Sequence, residues 1–166
     1  MMIYTCSYFS PLGMMLLAAG DEGVAGCWFY GQKYFKKGMP SETKIGFHPL
    51  LIEAANWLDV YFSGKNPDSM PPLSPQGTPF QKEVWDILRR IPYGETMTYG
   101  EIAKILAARR GISTMSAQAV GGAVGRNPIT IFIPCHRVLG AGGMLTGYAG
   151  GVEKKEALLR LEGHEF

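Results

Sequence analysis

The hydrophobic positions of the first thirty residues follow a pattern typical of short β-strands. Three segments rich in apolar, β-branched and aromatic residues span 2–9, 13–19 and 24–30. The second and third segments are separated by the turn sequence Gly20-Asp21-Glu22-Gly23. Runs of this length, bounded by turn residues, predict a small antiparallel meander.

The period changes to that of a helix over residues 48–62. Apolar residues recur there at the spacing of one helical face, at Leu51, Ala54, Ala55, Leu58, Tyr61 and Phe62. The next segment, 63–79, contains five prolines and cannot continue a helix or a central strand. We therefore expect a supporting domain at 1–70, a Pro-rich linker at 71–77 and a second domain at 78–166.

The second domain is predicted to be mainly helical. Capping and periodic signals indicate helices at 80–91, 99–108, 117–125 and 152–161. Thr78-Pro79 is a good start for the first, and Thr98 with Glu101 forms a capping box for the second. Arg109-Arg110-Gly111 is expected to stop the second helix. The apolar segment 129–133 predicts a strand that runs into Pro134-Cys135.

Composition and charge narrow the function classes. The chain has 166 residues, of which 46% are hydrophobic and 18% charged, so it can build a real core and has no long charged tail. Residues 1–71 carry five Lys/Arg and six Asp/Glu, whereas residues 72–166 carry eleven and eight. The second half therefore favours an anionic partner.

The three cysteines, Cys6, Cys27 and Cys135, are too few for a disulfide framework. No signal peptide and no run of 18 apolar residues occurs, so we expect no membrane partner and a cytoplasmic location, or a nuclear one in a eukaryote. Cys6, Cys27 and His48 lack metal-like spacing, so no metal site is predicted.

The predicted helices 99–108 and 117–125 are compatible with a helix-turn-helix. The second helix is poor in side-chain bulk, with Ala119, Gly121, Gly122 and Ala123. Such residues allow a close approach either to nucleic acid or to a neighbouring helix, and composition alone favours helix packing.

Cys135 is the most informative candidate for chemistry, because His136 and Arg137 follow it directly. An imidazole and a guanidinium are suitable neighbours for a reactive thiolate. Adjacent residues on an extended strand point to opposite faces, however, so His136 can serve Cys135 only if the chain turns here or a water bridges them. Taken alone, a Cys-His pair is more often chance than catalysis.

The surrounding sequence resembles the O6-alkylguanine-DNA alkyltransferases, also called methylated-DNA–protein-cysteine methyltransferases. The resemblance rests on Ile133-Pro134-Cys135-His136-Arg137-Val138, preceded by Ala119-Val120-Gly121-Gly122-Ala123 and Asn127-Pro128, and followed by Gly147-Tyr148-Ala149-Gly150-Gly151 and Lys155-Glu156-Ala157-Leu158-Leu159. It is strong from residue 78 to residue 163 and weaker over the first 70 residues.

The resemblance implies catalytic roles for particular residues. Cys135 resembles the nucleophile, His136 the base that acts on the thiol through a water, and Glu162 the acid that orients the histidine. Asn127 matches the residue that holds the active-site turn together. Tyr99 matches the tyrosine that contacts a phosphate and helps to protonate the leaving guanine.

The resemblance also implies contacts with DNA and with the flipped base. The residues expected at the DNA are Gln118, Ala119, Gly121, Gly122, Arg126 and Arg137, and those expected in the base pocket are Tyr148, Ala149 and Gly150. Many members have an intercalating arginine where this chain has Gln118, which lacks the charge and the stacking plane of guanidinium. Arg109 and Arg110 either compensate through phosphate contacts or are simply solvated.

For the whole chain, the resemblance implies an α+β fold with a ribonuclease H-like antiparallel sheet and a winged-helix-like second domain. It implies single-turnover removal of the alkyl group from O6-alkylguanine in double-stranded DNA, approached from the minor groove, by a monomer without cofactor. O4-alkylthymine is a second candidate substrate. Two rivals are a non-enzymatic sensor of alkylated DNA and a sequence-specific transcriptional regulator.

Overall fold

A computed structural model describes residues 2–165 of the chain. The chain forms two compact units. The first comprises the residues up to 77 together with the segment 128–132, and the second comprises 78–127 and the residues from 133 onward. None of the helices in the described range is long and apolar enough to cross a membrane.

The first unit is built on a four-stranded sheet. Its strands are β1 (Tyr4–Ser10), β2 (Gly13–Gly20), β3 (Gly23–Phe29) and β4 (Lys44–Ile45), in the order β3-β2-β1-β4. The first three strands form the predicted antiparallel meander, and β4 runs parallel to β1. The two-residue β4 was not predicted, because so short a strand has no alternating pattern. Helix α1 (Pro49–Phe62) buries Leu51, Ala54, Leu58 and Tyr61.

Strand β3 also binds the irregular segment 71–77. The Val24 amide donates to the Pro72 carbonyl, and the Ser74 amide donates to the Val24 carbonyl, each at 2.8 Å. A Cβ on Gly23 would lie 2.8 Å from the Pro72 oxygen, so this close approach requires glycine. The segment 71–77, interpreted from its prolines as a linker, thus belongs to the first unit.

The apolar segment 129–133 is not a strand, which corrects the prediction. The pairing of this segment is limited to isolated bridges, among them that of Ile129 to Cys27, and the backbone of Ile131 has a φ of 74°. A left-handed residue interrupts an extended run, so no regular pairing follows Thr130.

Within the described residues the second unit contains four α-helices: α2 (Pro79–Leu88), α3 (Tyr99–Arg110), α4 (Ala117–Gly125) and α5 (Val152–Leu161). Two short parallel strands, β5 (Met97–Thr98) and β6 (Val138–Leu139), pair beside them. The capping box of Thr98 and Glu101 is confirmed. Helix α3 continues through Arg109 and Arg110 and ends at Gly111, whose φ of 63° suits a glycine cap. Helix α2 ends three residues earlier than predicted.

Candidate active site

The backbone turns at the position of Cys135 and His136. Residues Cys135–Arg137 form one turn of 3-10 helix, in which the Arg137 amide donates to the Pro134 carbonyl at 3.0 Å. Successive side chains of such a turn project about 120° apart rather than to opposite faces. The turn thereby removes the objection that an extended strand would separate the thiol from the imidazole.

The carboxylate of Glu162 organises the interior of the site. Glu162 caps the C-terminus of α5, and its Oε2 atom lies 2.6 Å from Nε2 of His136. Its Oε1 atom accepts hydrogen bonds from the Gly94 amide at 3.0 Å and from Nε of Arg137 at 2.8 Å. Three separate parts of the second unit thus meet at one carboxylate.

The pKa values in this cluster follow from its partners. Burial raises the pKa of Glu162, but the hydrogen bonds and charges of His136 and Arg137 outweigh burial and hold that pKa well below its usual range. Burial lowers the pKa of His136, and its contact with Glu162 only partly offsets this effect. Glu162 is therefore a carboxylate that accepts hydrogen bonds, and the neutral imidazole donates its Nε2–H to it.

Arg137 does not occupy the position expected of a DNA-binding residue. Its guanidinium is buried, donates to both Glu162 oxygens and gives a further hydrogen bond of 2.7 Å to the Ile91 carbonyl. The DNA-contact prediction for Arg137 is corrected to a positioning role, because a guanidinium held by a buried carboxylate is not available to a phosphate.

Asn127 lies beside the turn that carries the thiol. Its Nδ2 atom donates to the Ile133 carbonyl at 2.7 Å, and both groups are buried. Burial raises the pKa of Cys135, while the Asn127 side chain and the charge of Lys155 act in the opposite direction. At neutral pH the nucleophile is consequently a buried thiol that needs a base to become a thiolate.

A second cluster joins Tyr99 to Lys155 through the Thr146 carbonyl. The Tyr99 hydroxyl donates to this oxygen at 3.3 Å, and Nζ of Lys155 donates to it at 2.8 Å. Lys155 also binds the Gly147 carbonyl at 3.1 Å, and its ammonium lies 5.8 Å from the centre of the Tyr99 ring. The loop that precedes Tyr148 is thereby tied to a helix and to the phenol.

Lys155 is a candidate site residue that sequence reasoning did not single out. It is fully buried, and burial lowers its pKa to about 8, while the nearby Cys135 acts to raise it. The sequence does contain a signal, because Lys155 precedes Leu158, Leu159 and Glu162 by three, four and seven residues. A charged residue in phase with the buried face of a helix is uncommon unless it is paired or functional.

The predicted base-pocket residues Tyr148, Ala149 and Gly150 are half-buried and follow this loop. The Gly151 amide donates to the Tyr148 carbonyl at 2.9 Å, which closes a turn over these residues. Their role in reading a base stays a prediction.

Helix α4 exposes part of its small-residue surface. Gln118 and Ala119 are exposed, and Gly121 and Gly122 are half-buried. A Cβ on Gly121 would touch only the Tyr99 ring at an ordinary 3.8 Å, and one on Gly125 would meet nothing within 4 Å. Tight helix packing therefore does not require glycine at these two positions.

The arginines near α4 differ in what they bind. Nη1 of Arg126 donates to the Gly122 carbonyl at 2.9 Å. Arg109 and Arg110 are both exposed, and Arg110 pairs with Glu83 at 3.1 Å and lies over the Phe80 ring. The hypothesis that both arginines compensate for Gln118 stays a prediction, and a phosphate contact of Arg110 would compete with its pairing to Glu83.

Comparison with known proteins identifies the family. Residues 79–164 match the model of the 6-O-methylguanine DNA methyltransferase, DNA binding domain. A methylated-DNA–protein-cysteine methyltransferase of Methanosarcina acetivorans is 45% identical over 97% of this chain and 99% of its own length. The protein of that name from Mycobacterium leprae is 41% identical over 99% of this chain and 94% of its own length.

Solved structures lead to the same family. The crystal structure of Mycobacterium tuberculosis O6-methylguanine methyltransferase has a TM-score of 0.81 and 39% identity, and the match covers 97% of this chain and 93% of that one. A crystal structure of the Mycobacterium tuberculosis protein in complex with DNA has a TM-score of 0.80, also at 39% identity, over 98% and 92% of the two chains. The predicted α+β fold class is confirmed, and the chain belongs to the methylated-DNA–protein-cysteine methyltransferase family.

Proposed function

We propose that this protein repairs DNA by transferring the alkyl group of O6-alkylguanine to the Sγ atom of Cys135. The buried arrangement of Cys135, His136 and Glu162 carries this proposal, because a thiol on the same turn as a carboxylate-oriented imidazole suits a displacement reaction. The names of relatives at 41% and 45% identity support the same reaction.

In the first step, His136 takes the proton of the Cys135 thiol through a water. It does so at Nδ1, because Nε2 is hydrogen-bonded to Glu162. Glu162 stabilises the imidazolium that results, as a carboxylate does in other activated nucleophiles. Because His136 is buried and neutral at rest, the proton that it takes up creates a new ion pair between the imidazolium and the Glu162 carboxylate.

In the second step, the thiolate attacks the alkyl carbon. The carbon–sulfur bond forms as the carbon–oxygen bond to guanine breaks, and Tyr99 gives a proton to the leaving guanine. Burial raises the pKa of Tyr99, so its phenol is protonated at neutral pH and able to act as the acid. The product is a thioether, which water does not cleave, so each molecule acts once.

The DNA partner is double-stranded and is approached by the monomer from the minor groove. O6 of a paired guanine lies on the pairing face toward the major groove, so a protein in the minor groove reaches it only after the base is flipped out. The exposed surface of α4 around Gln118 and Ala119 enters the groove, and the glycines without a packing role permit the close approach. The DNA complex of the Mycobacterium tuberculosis protein supports this partner.

Intact-mass measurement tests the proposed function. The purified protein is mixed with a duplex that bears one O6-methylguanine, alongside Cys135→Ala and the control Cys6→Ala. A gain of one CH2 unit per molecule in the wild type and in Cys6→Ala, and none in Cys135→Ala, is expected. Lesion-specific binding without a mass change would instead identify a damage sensor, and a gain that persists in Cys135→Ala would overturn the assignment of the nucleophile.

A further inference from the structure

A basic loop of the first unit, residues 31–39, takes no part in the chemistry at Cys135. It contains Lys33, Lys36 and Lys37, all exposed, and no acidic residue lies between positions 23 and 41. The first 71 residues contain only five basic residues, so the positive charge of this half is concentrated here. The net charge of residues 1–71 is negative, so this local positive patch is not apparent from the net charge.

The core of the first unit anchors the loop. The Phe35 ring packs against Trp28 at 6.0 Å and against Tyr30 at 5.2 Å between ring centres. Phe35 and Met39 pack on the buried cluster formed by Ile3, Leu16, Ala18, Ala25 and Trp28. Phe35 and Met39 therefore anchor the loop on the core, while its lysines are exposed to solvent.

The conformation of the loop is unfavourable for its residues. The Lys37 amide donates to the Tyr34 carbonyl at 3.0 Å, and the Met39 amide to the Lys36 carbonyl at 3.1 Å, so two tight turns follow one another. Tyr34 and Lys36 have φ values of 59° and 61°, in the region that favours glycine. Strain of this kind persists where the surrounding structure imposes it, and it is concentrated at binding sites.

The loop also orients one of its charges. The ammonium of Lys37 lies 5.3 Å from the centre of the Tyr34 ring, within the range of a cation–π contact. This contact restricts a long and otherwise mobile side chain. A cation held in place loses less entropy when it binds an anion than a freely rotating one.

We infer that the basic loop is a second, sequence-independent contact for the phosphodiester backbone of DNA. The inference rests on the proposed function in one respect, since DNA is the polyanion that this family acts on. Lysine ammonium groups bind phosphate as point charges, and their neutralisation of phosphates supplies a sequence-independent share of the affinity for DNA. An acidic membrane surface shares the charge but does not call for the fixed backbone and rigid rings of this loop.

The salt dependence of binding to an unmodified duplex tests the inference. Each lysine that neutralises a phosphate contributes about 0.9 to the slope of log K against log salt concentration. The variant Lys36→Gln/Lys37→Gln should lose about 2 units of that slope and bind several-fold more weakly at low salt. The matched control Lys44→Gln/Lys65→Gln removes the same charge from exposed sites of the same unit outside the loop and should keep the wild-type slope.

The outcomes separate the inference from the proposed function. The inference would be overturned if the loop variant kept the wild-type salt slope of DNA binding. It would also be overturned if the loop variant and the control lost the same amount of slope. Either result would leave the mass gain on Cys135 intact. Absence of the mass gain in the wild type, with the slope change present, would overturn the proposed function alone. Loss of binding to phosphatidylserine vesicles, without any change on DNA, would assign the loop to membranes and also overturn the inference.

Discussion

The imidazole of His136 and the carboxylate of Glu162 lie 2.6 Å apart, and neither side chain is exposed to solvent. The two residues are far apart in the sequence and meet because α5 ends beside the 3-10 turn of Cys135. Arg137 binds the same carboxylate, so removal of Glu162 affects a base and a buried cation together.

Replacement Glu162→Gln should therefore slow alkyl transfer and destabilise the fold. An amide does not stabilise the imidazolium and leaves Arg137 as an uncompensated buried charge. We expect the single-turnover rate to fall about 100-fold and the free energy of unfolding to fall by about 3 kcal/mol. Rapid-quench kinetics and urea unfolding measure the two effects. The control Glu156→Gln removes an exposed partner of Arg160 and should change neither appreciably.

Stability should fall in two stages as the solution becomes more acidic. The folded-state pKa of His136 is lowered, so below about pH 6.5 the unfolded chain takes up the proton first and stability decreases. The folded-state pKa of Glu162 is also lowered, so its contribution is present above about pH 4.3 and is lost as the pH falls toward the folded value.

Urea unfolding from pH 3 to pH 8 measures this dependence. His136→Asn should flatten the curve near neutrality, and Glu162→Gln should flatten its acidic part. Curves that run parallel to the wild-type curve would show that these two groups do not govern acid stability.

Lys155→Met should reduce the rate of alkyl transfer about tenfold, because the loop of Thr146 and Gly147 loses two hydrogen bonds to a charged donor. It should also raise the pKa of Cys135, since the ammonium acts to lower that pKa. The pH profile of the reaction with iodoacetamide reports on the thiol without involving the base pocket. A profile that shifts upward would show an electrostatic role, and an unchanged profile with slow repair would show a purely positional one.

Two further variants complete the test of Lys155. Lys155→Arg retains the positive charge and should restore part of the activity. Lys104→Met removes an exposed lysine from α3 and should leave the iodoacetamide profile unchanged. A wild-type rate in Lys155→Met would contradict both roles.

Gln118→Arg should strengthen binding to DNA. Gln118 is exposed in the first turn of α4, and an arginine there adds a cation and a planar group that stacks. We expect the salt slope on DNA to steepen by about 1 and the affinity to rise several-fold. Gln76→Arg adds the same charge at an exposed site of the first unit, and an equal gain in that control would show that the effect is not specific to α4.

Much of the local structure follows from the sequence alone. The helix bounds 117–125 and 152–161 match α4 and α5 of the structure, and the capping box of Thr98 and Glu101 forms as predicted. Caps and helical periodicity act between residues a few positions apart, so they remain visible without knowledge of the fold.

Sequence signals were misleading where long-range contacts decide the outcome. The prolines of 71–77 indicated a linker, yet this segment binds β3. The apolar segment 129–133 indicated a strand but forms only isolated bridges. Both segments are held by residues far away in the chain. A local pattern carries no information about such partners.

The properties of the candidate site also fall into those set by the sequence and those set by the tertiary structure. The sequence by itself determined that Cys135 and His136 are present, that the chain resembles the alkyltransferases, and that Gln118 replaces an arginine. Only the tertiary structure decided that Arg137 binds Glu162 inside the protein and that Lys155 holds the Thr146 carbonyl. The reason is physical: a motif fixes which groups are available, whereas burial and pairing, which set their pKa values and roles, depend on elements that meet only when the chain folds.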